Sequence, residues 1–315
     1  MPPQTPDSTP CINPATGEVF GHSPLHTVAE LQAAVARARQ VQPAWGALSP
    51  RERARRVLPL RDYLVEHADD LAEVIARDNG KTRLDALTTE VLPAAISVTY
   101  YARMAPRFLR PRKLGSATVA LANKRSTVAR LPWGVVGIIS PWNYPFGIPF
   151  HEVVMALLAV NAVILKTASE TQMVGRALES VVGAARLPEG LFAFINLPGR
   201  VAGDAFLEAG VDKLFFTGSV PVGKVLMAKA AQTLTPVSLE LGGNDPMLVC
   251  EDADVERAAA GALWAGMQNA GQSCGGVERI YVHEKAYEPF LTALKTRVEA
   301  LRVGRAAPSG RTWGA

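Results

Sequence analysis

One cysteine stands out by its surroundings. Cys274 follows Gly271, Gln272 and Ser273 and precedes Gly275 and Gly276, in the stretch running from Asn269 to Arg279. Small neighbours let a backbone or a substrate approach closely, and a loop on a rigid support is where reactive side chains sit. Taken alone, such a residue reads more simply as a small buried thiol in a turn. Three other polar residues close apolar runs earlier in the chain: Asn143 in the segment after Val135–Ile139, Lys166 after Ala162–Leu165, and Glu240 after Val237–Leu239. Glu240 can serve as a general base and Asn143 can donate to a developing oxyanion. Lys166 can hydrogen-bond ribose hydroxyls or a phosphate. Each has a blander reading, since helix starts favour such residues anyway.

The elements that would position them argue for more. From Val135 onward, the short apolar runs 135–139, 162–165, 191–195, 213–216 and 237–240 alternate with helical patterns over 147–159, 172–185, 201–209 and 222–233. Short apolar strands alternating with amphipathic helices predict a parallel sheet covered on both faces. Ligands bind such sheets at the carboxyl ends of the strands, and all of these polar residues fall on that one edge. Thr217, Gly218 and Ser219 follow a strand there, and Gly218-x-x-x-x-Gly223 opens a helix, a backbone cradle at the positive end of its dipole. It is neither the G-x-G-x-x-G fingerprint nor an NTPase loop.

Upstream, residues 1–10 are Pro-rich and predicted to fray. Thr27 with Glu30 and Ser49 with Glu52 fit capping boxes, with Pro50 at the first helical position. Leu60, Leu64, Leu71 and Ile75 mark an apolar stripe ending near Gly80, and a further helix is predicted over 84–104. These helices read as structural. Residues 113–131 read as two strands joined by a polar turn near Asn123, a hairpin that needs a partner surface. A strand over Arg279–His283 and a helix over 284–301 close the pattern.

The chain has 315 residues, 48% hydrophobic and 20% charged, with a net charge of +4, so it can bury a sizeable core. Scattered arginines do not make a nucleic-acid footprint. Three cysteines without paired spacing give neither a disulfide framework nor a metal site. No signal-peptide pattern and no spanning apolar run occur, which predicts a soluble, cytoplasmic protein with no membrane partner.

Pro141, Trp142 and Asn143, Lys166 with Ser169 and Glu170, Phe216 to Ser219 with Gly223, Glu240 to Gly243, and Gly271 to Cys274 with Arg279 resemble, in order and spacing, the NAD(P)-dependent aldehyde dehydrogenases. The resemblance runs from about Ile12 to the end. It implies an α/β fold: a Rossmann-like parallel-sheet cofactor domain plus the start of a second α/β catalytic domain, with an oligomerisation hairpin. The expected divisions are a helical part of the cofactor domain (1–112), the hairpin (113–131), the NAD(P)-binding sheet (132–242) and an incomplete catalytic domain (243–315). By the same resemblance Cys274 is the nucleophile, Asn143 the oxyanion donor and Glu240 the general base. Lys166 binds the adenosine ribose, with Ser169 and Glu170 beside it. Thr217, Gly218, Ser219 and Gly223 approach the phosphates, and Trp142 and Gly242 line the cleft. The implied reaction oxidises an aldehyde to a carboxylic acid through a cysteine thiohemiacetal and thioester, in a homo-oligomer when full-length.

Two departures bear on this. Strongly NAD-preferring members often carry a glutamate three residues after the lysine. Here Ser169 stands there and Glu170 follows, which leans towards NADP or dual use. The family's chain also continues well past the cysteine, whereas this sequence stops at Arg311–Ala315 without a Glu-Ile-Phe-Gly-Pro-like stretch. That predicts uncovered strand edges after residue 279, and the competing reading of a catalytically incompetent member that only binds NAD(P). A cysteine acyl hydrolase is disfavoured, because no histidine pairs with Cys274. Cys250 is read as a buried structural thiol and His151 as a helix-surface or satisfied histidine, not a base.

Overall fold

A computed structural model describes residues 7–304; the first six residues of the Pro-rich start and the terminal Arg311–Ala315 lie outside the described residues. The chain opens with an antiparallel pair, β1 (Ser8–Ile12) and β2 (Val19–Pro24). Helices α1 (Val28–Gly46), α2 (Pro50–Val57), α3 (Pro59–Glu66) and α4 (Ala68–Asn79) follow. Both expected capping boxes form, Thr27 with Glu30 and Ser49 with Glu52, and Pro50 occupies the first turn of α2. Gly80, at φ +88°, ends α4 in the left-handed conformation that glycine adopts without a steric penalty. The helix expected over 84–104 is instead a short α5 (Arg83–Asp85), a π-helical turn over Ala86–Val91, and α6 (Leu92–Phe108).

The hairpin is β3 (Arg112–Leu114) paired antiparallel with β4 (Ser126–Val128), and residues 111–133 are all exposed. The alternating part then runs β5 (Val135–Ile139), α7 (Gly147–Leu158), β6 (Ala162–Lys166), α8 (Gln172–Ala184) and β7 (Phe192–Phe194). It continues with α9 (Gly199–Glu208), β8 (Lys213–Gly218), α10 (Val220–Thr233) and β9 (Val237–Leu241). These five strands form one parallel sheet in the order β7-β6-β5-β8-β9. Every residue of β5 and β6 is buried, as expected for strands covered on both faces. At Gly137 in mid-β5, an added Cβ would stand 2.6 Å from a Phe206 ring carbon, so the missing side chain lets α9 press onto the sheet.

After β9, three residues lead into β10 (Asp245–Val249), α11 (Val255–Met267), a tight turn over Gln268–Gly271, β11 (Val277–Val282) and α12 (Glu284–Glu299). β10 and β11 pair in parallel, with a small core of Val249, Ala259, Ala262, Ala286 and Phe290 under α11 and α12. The strand expected over 279–283 begins two residues earlier, at Val277. One expectation is overturned: Cys250 is exposed, not buried. It stands one residue beyond β10, where its carbonyl receives the N–H of Ala253 in a turn, so the apolar pattern that suggested burial stops at Val249. The carboxyl end of the large sheet thus meets the amino end of the small one.

Candidate active site

A cleft of about 620 Å³ opens at that meeting. Its walls include Asn143 and Trp142 after β5, Lys166 at the end of β6 with Ser169 and Glu170 beyond it, and Thr217 and Gly218 at the end of β8 with Ser219 beyond them. Glu240 and Gly242 at the end of β9, and Cys274 with Gly271–Ser273 from the small sheet, complete it. Of the residues predicted from sequence, only Gly223 lies elsewhere. It is buried one turn into α10, where a Cβ would stand 2.8 Å from Leu241, so its bareness lets the helix pack against β9.

The cysteine loop has an unusual backbone. Asn269, Ala270 and Gly271 lie in succession at φ +53°, +56° and +77°. Left-handed backbone costs a non-glycine residue roughly 1–2 kcal/mol, and it persists only where neighbours over-determine it. Here buried Asn269 supplies the restraint: its Nδ2 donates to the Asn143 carbonyl (2.9 Å) and to the Gln272 carbonyl (3.1 Å). Asn143 Nδ2 donates to the same Gln272 carbonyl at 3.0 Å. Cys274 itself is exposed to the cleft. Nearby, partial burial raises the pKa of the Tyr144 phenol.

The segment carrying Asn143 rests on residues that the sequence reading took as purely structural. Asn79 Nδ2 donates to the Trp142 carbonyl (2.7 Å), and Lys81 Nζ to the Asn143 carbonyl (2.9 Å). Glu90 accepts the N–H groups of Phe146 (2.7 Å) and Gly147 (3.0 Å). A signal existed: Glu90 lies four residues from both Ala86 and Ala94, on an apolar stripe where a carboxylate needs a buried partner.

Glu240 is an exposed carboxylate at the cleft wall. Behind it on α7, Glu152 is raised to about 8, first by burial and then by the charge of Glu240, so it holds a proton at neutral pH. Nearby His151 sets Nδ1 against the Gly147 carbonyl, which satisfies it as expected.

The other half of the cleft suits a dinucleotide. Lys166 is 4% exposed, and among the described residues its ammonium has no hydrogen-bond partner. Burial lowers its pKa, with Glu170 opposing. It lies 3.9 Å from the Cβ position of Gly199, a glycine that keeps space open beside it. Ser219 caps α10 without using its side chain, and Thr217 Oγ1 is buried without a partner. An uncommitted ammonium, two uncommitted hydroxyls and a helix N-terminus fit ribose hydroxyls and a diphosphate. Among the described residues no cluster of metal-ligating side chains occurs, and no helix is long and apolar enough to cross a membrane.

This α/β frame and cysteine-bearing cleft define a class that comparison with known proteins identifies. The sequence profile of the aldehyde dehydrogenase family matches residues 1–315, and the chain belongs to that family. A 4,4'-diapolycopene aldehyde oxidase from Methylomonas is 38% identical over 93% of this chain and 55% of the relative. A glutarate-semialdehyde dehydrogenase from Pseudomonas aeruginosa is 36% identical over 96% of this chain and 62% of the relative. The crystal structure of an E. coli NADP-dependent enzyme superposes with a TM-score of 0.92 at 33% identity, covering 98% of this chain and 63% of that one. The chain therefore spans roughly three fifths of these relatives' length.

Proposed function

We propose that the chain carries the chemistry of an NAD(P)-dependent aldehyde dehydrogenase: aldehyde, water and NAD(P)+ give carboxylic acid, NAD(P)H and a proton. The observation that carries this is the shared cleft, in which Cys274, Asn143 and Glu240 face the same space as Lys166 and the start of α10. The Cys274 thiolate adds to the aldehyde carbon, and the resulting oxyanion accepts hydrogen bonds from Asn143 Nδ2 and the backbone N–H of Cys274. The nicotinamide supplies a hydride acceptor, which leaves an acyl thioester on Cys274. Glu240 then takes a proton from water, the hydroxide attacks the thioester carbon, and the carbon–sulfur bond breaks to return the thiolate. Lys166 and Ser219 hold the cofactor's ribose and diphosphate.

For the cofactor, the reading is NADP or dual use. Ser169 leaves room for a 2′-phosphate near Lys166, and Glu170 is exposed enough to turn towards solvent. The substrate class is an aldehyde entering beside Asn143 and Tyr144. The relatives' names span a polyene aldehyde and a semialdehyde, so the proposal stops at the functional group. Mixing the chain with propanal and either cofactor, with Cys274→Ala alongside, tests the reading through absorbance of the reduced cofactor. Reduction that depends on Cys274 supports it. Reduction that survives Cys274→Ala overturns it, and cofactor binding without reduction favours the binding-only alternative.

A further inference from the structure

The Lys81 and Glu90 side chains are completely buried and form an ion pair at 2.5 Å. Burying two charges costs much desolvation, and such a pair is weak evidence for stability by itself. What it touches is more informative. Lys81 Nζ donates to Glu90 Oε1 and to the carbonyl of Asn143, and lies 4.5 Å from the centre of the Tyr144 ring. Glu90 Oε2 accepts from Phe146 and Gly147. The pair therefore holds the peptide units on the carboxyl side of Asn143 while its side chain stays at the cleft. Holding the Asn143 carbonyl fixes where its Cα–Cβ bond stands at the cleft, and from that base the amide's bond to the Gln272 carbonyl sets where Nδ2 points.

The local sequence arranges this delivery. The left-handed Gly80 turns the chain at the end of α4, so that Lys81 points inward. Glu90 sits in the π-helical turn between α5 and α6, a local widening that recurs at functional sites. Asn269 shares the Asn143 carbonyl with Lys81, which ties the same anchor to the loop of Cys274.

We propose that the Lys81–Glu90 pair is the positioning device of the oxyanion donor, setting the direction of the Asn143 amide without touching substrate. This rests on Asn143 acting as that donor. Preorganised donors are effective only when held in place before charge develops.

Two reactions of Cys274 in the full chain without cofactor separate these roles. In acylation by 4-nitrophenyl acetate, the thiolate adds to the ester carbon, negative charge collects on the carbonyl oxygen, and 4-nitrophenolate leaves. In alkylation by iodoacetamide, the thiolate displaces iodide and no oxyanion forms. Mass spectrometry locates both products on Cys274. The expected result is that Lys81→Met lowers the ratio of acylation to alkylation rate about tenfold or more, in the direction of Asn143→Ala. Because a half-removed pair can fail to fold, Lys81→Met combined with Glu90→Gln removes both charges at similar volume, and this folded double variant must show the same loss. An unchanged ratio in the double variant, or both rates falling together, overturns the proposal while Asn143→Ala still lowers the ratio. If Asn143→Ala leaves the ratio unchanged, or wild-type Cys274 alkylates but never acylates, the oxyanion reading itself fails and the proposal with it.

Discussion

Asn143 and Gln272, 129 positions apart in sequence, are joined by a 3.0 Å hydrogen bond from the Asn143 amide to the Gln272 carbonyl. This bond spans the gap between the large and small sheets and sets the proposed oxyanion donor against a residue two positions before the proposed nucleophile, Cys274. An asparagine amide carries two N–H donors, so one remains for the developing charge. Asn143→Ala removes both the strut and the donor. The expected loss is about 10²–10³ in the rate of aldehyde oxidation, as for other oxyanion donors. Single-turnover formation of reduced cofactor measures it, and amide exchange over residues 268–276 should quicken in parallel.

Glu240→Gln should separate the two halves of the reaction. In the proposed mechanism, hydrolysis of the thioester needs the base that activates water, whereas its formation does not. The variant is expected to form one equivalent of reduced cofactor and then slow by about 10²–10⁴. Intact-mass measurement should find acyl-Cys274 accumulating in the variant and not in the wild type.

Lys166 is a buried ammonium whose pKa burial lowers. Its charge is costly without a ligand and useful with one. Lys166→Met should leave the melting temperature without cofactor unchanged or higher, yet weaken NADP or NAD binding about 10- to 100-fold, the scale of hydrogen bonds from a charged group. Calorimetric titration and thermal unfolding of the same two samples test both halves of this expectation.

The Glu152 carboxyl gives stability a pH dependence of known sign. Its pKa is raised from 4.5 to about 8, so the folded chain holds a proton that the unfolded chain releases between those values. Stability from this group is whole below about pH 4.5 and is lost as the pH rises through about 8. Asp78, raised from 3.8 to about 7 by burial, acts in an overlapping window. The test is therefore the difference between wild type and Glu152→Gln: urea midpoints on either side of the window should differ less in the variant.

Trp45 reports on the frame. Its ring is fully buried and Nε1 donates to the Leu157 carbonyl at 2.8 Å, joining α1 to α7. Trp45→Phe removes this hydrogen bond and part of the buried ring, while the carbonyl keeps the N–H of Val160. A loss of about 1–3 kcal/mol, from the lost bond and the space left behind, is expected from the urea midpoint, with no change in cofactor affinity.

The parallel sheet was legible because each buried strand is an apolar run that stops abruptly at a polar residue, as Leu165 gives way to Lys166 and Ile139 to Ser140. The strand-end rule then brought Asn143, Lys166 and Glu240 to one edge. Other features escaped for physical reasons. Lys81 and Glu90 act through backbone atoms of a segment some sixty positions away, and local periodicity carries no record of such a partner. Cys250 misled because strand hydrophobicity does not say where the strand ends. The contact of Gly223 with Leu241 also escaped, because spacing along α10 does not record which strand the helix lies against.

The buried pair also constrains how the sequence can change. Losing either Lys81 or Glu90 alone leaves a charge stranded in the interior, whereas losing both together leaves none. Single replacements are therefore costly steps in any lineage that keeps this fold. Among homologous sequences the two positions should be kept together or exchanged together, and intermediates with one charge should be scarce.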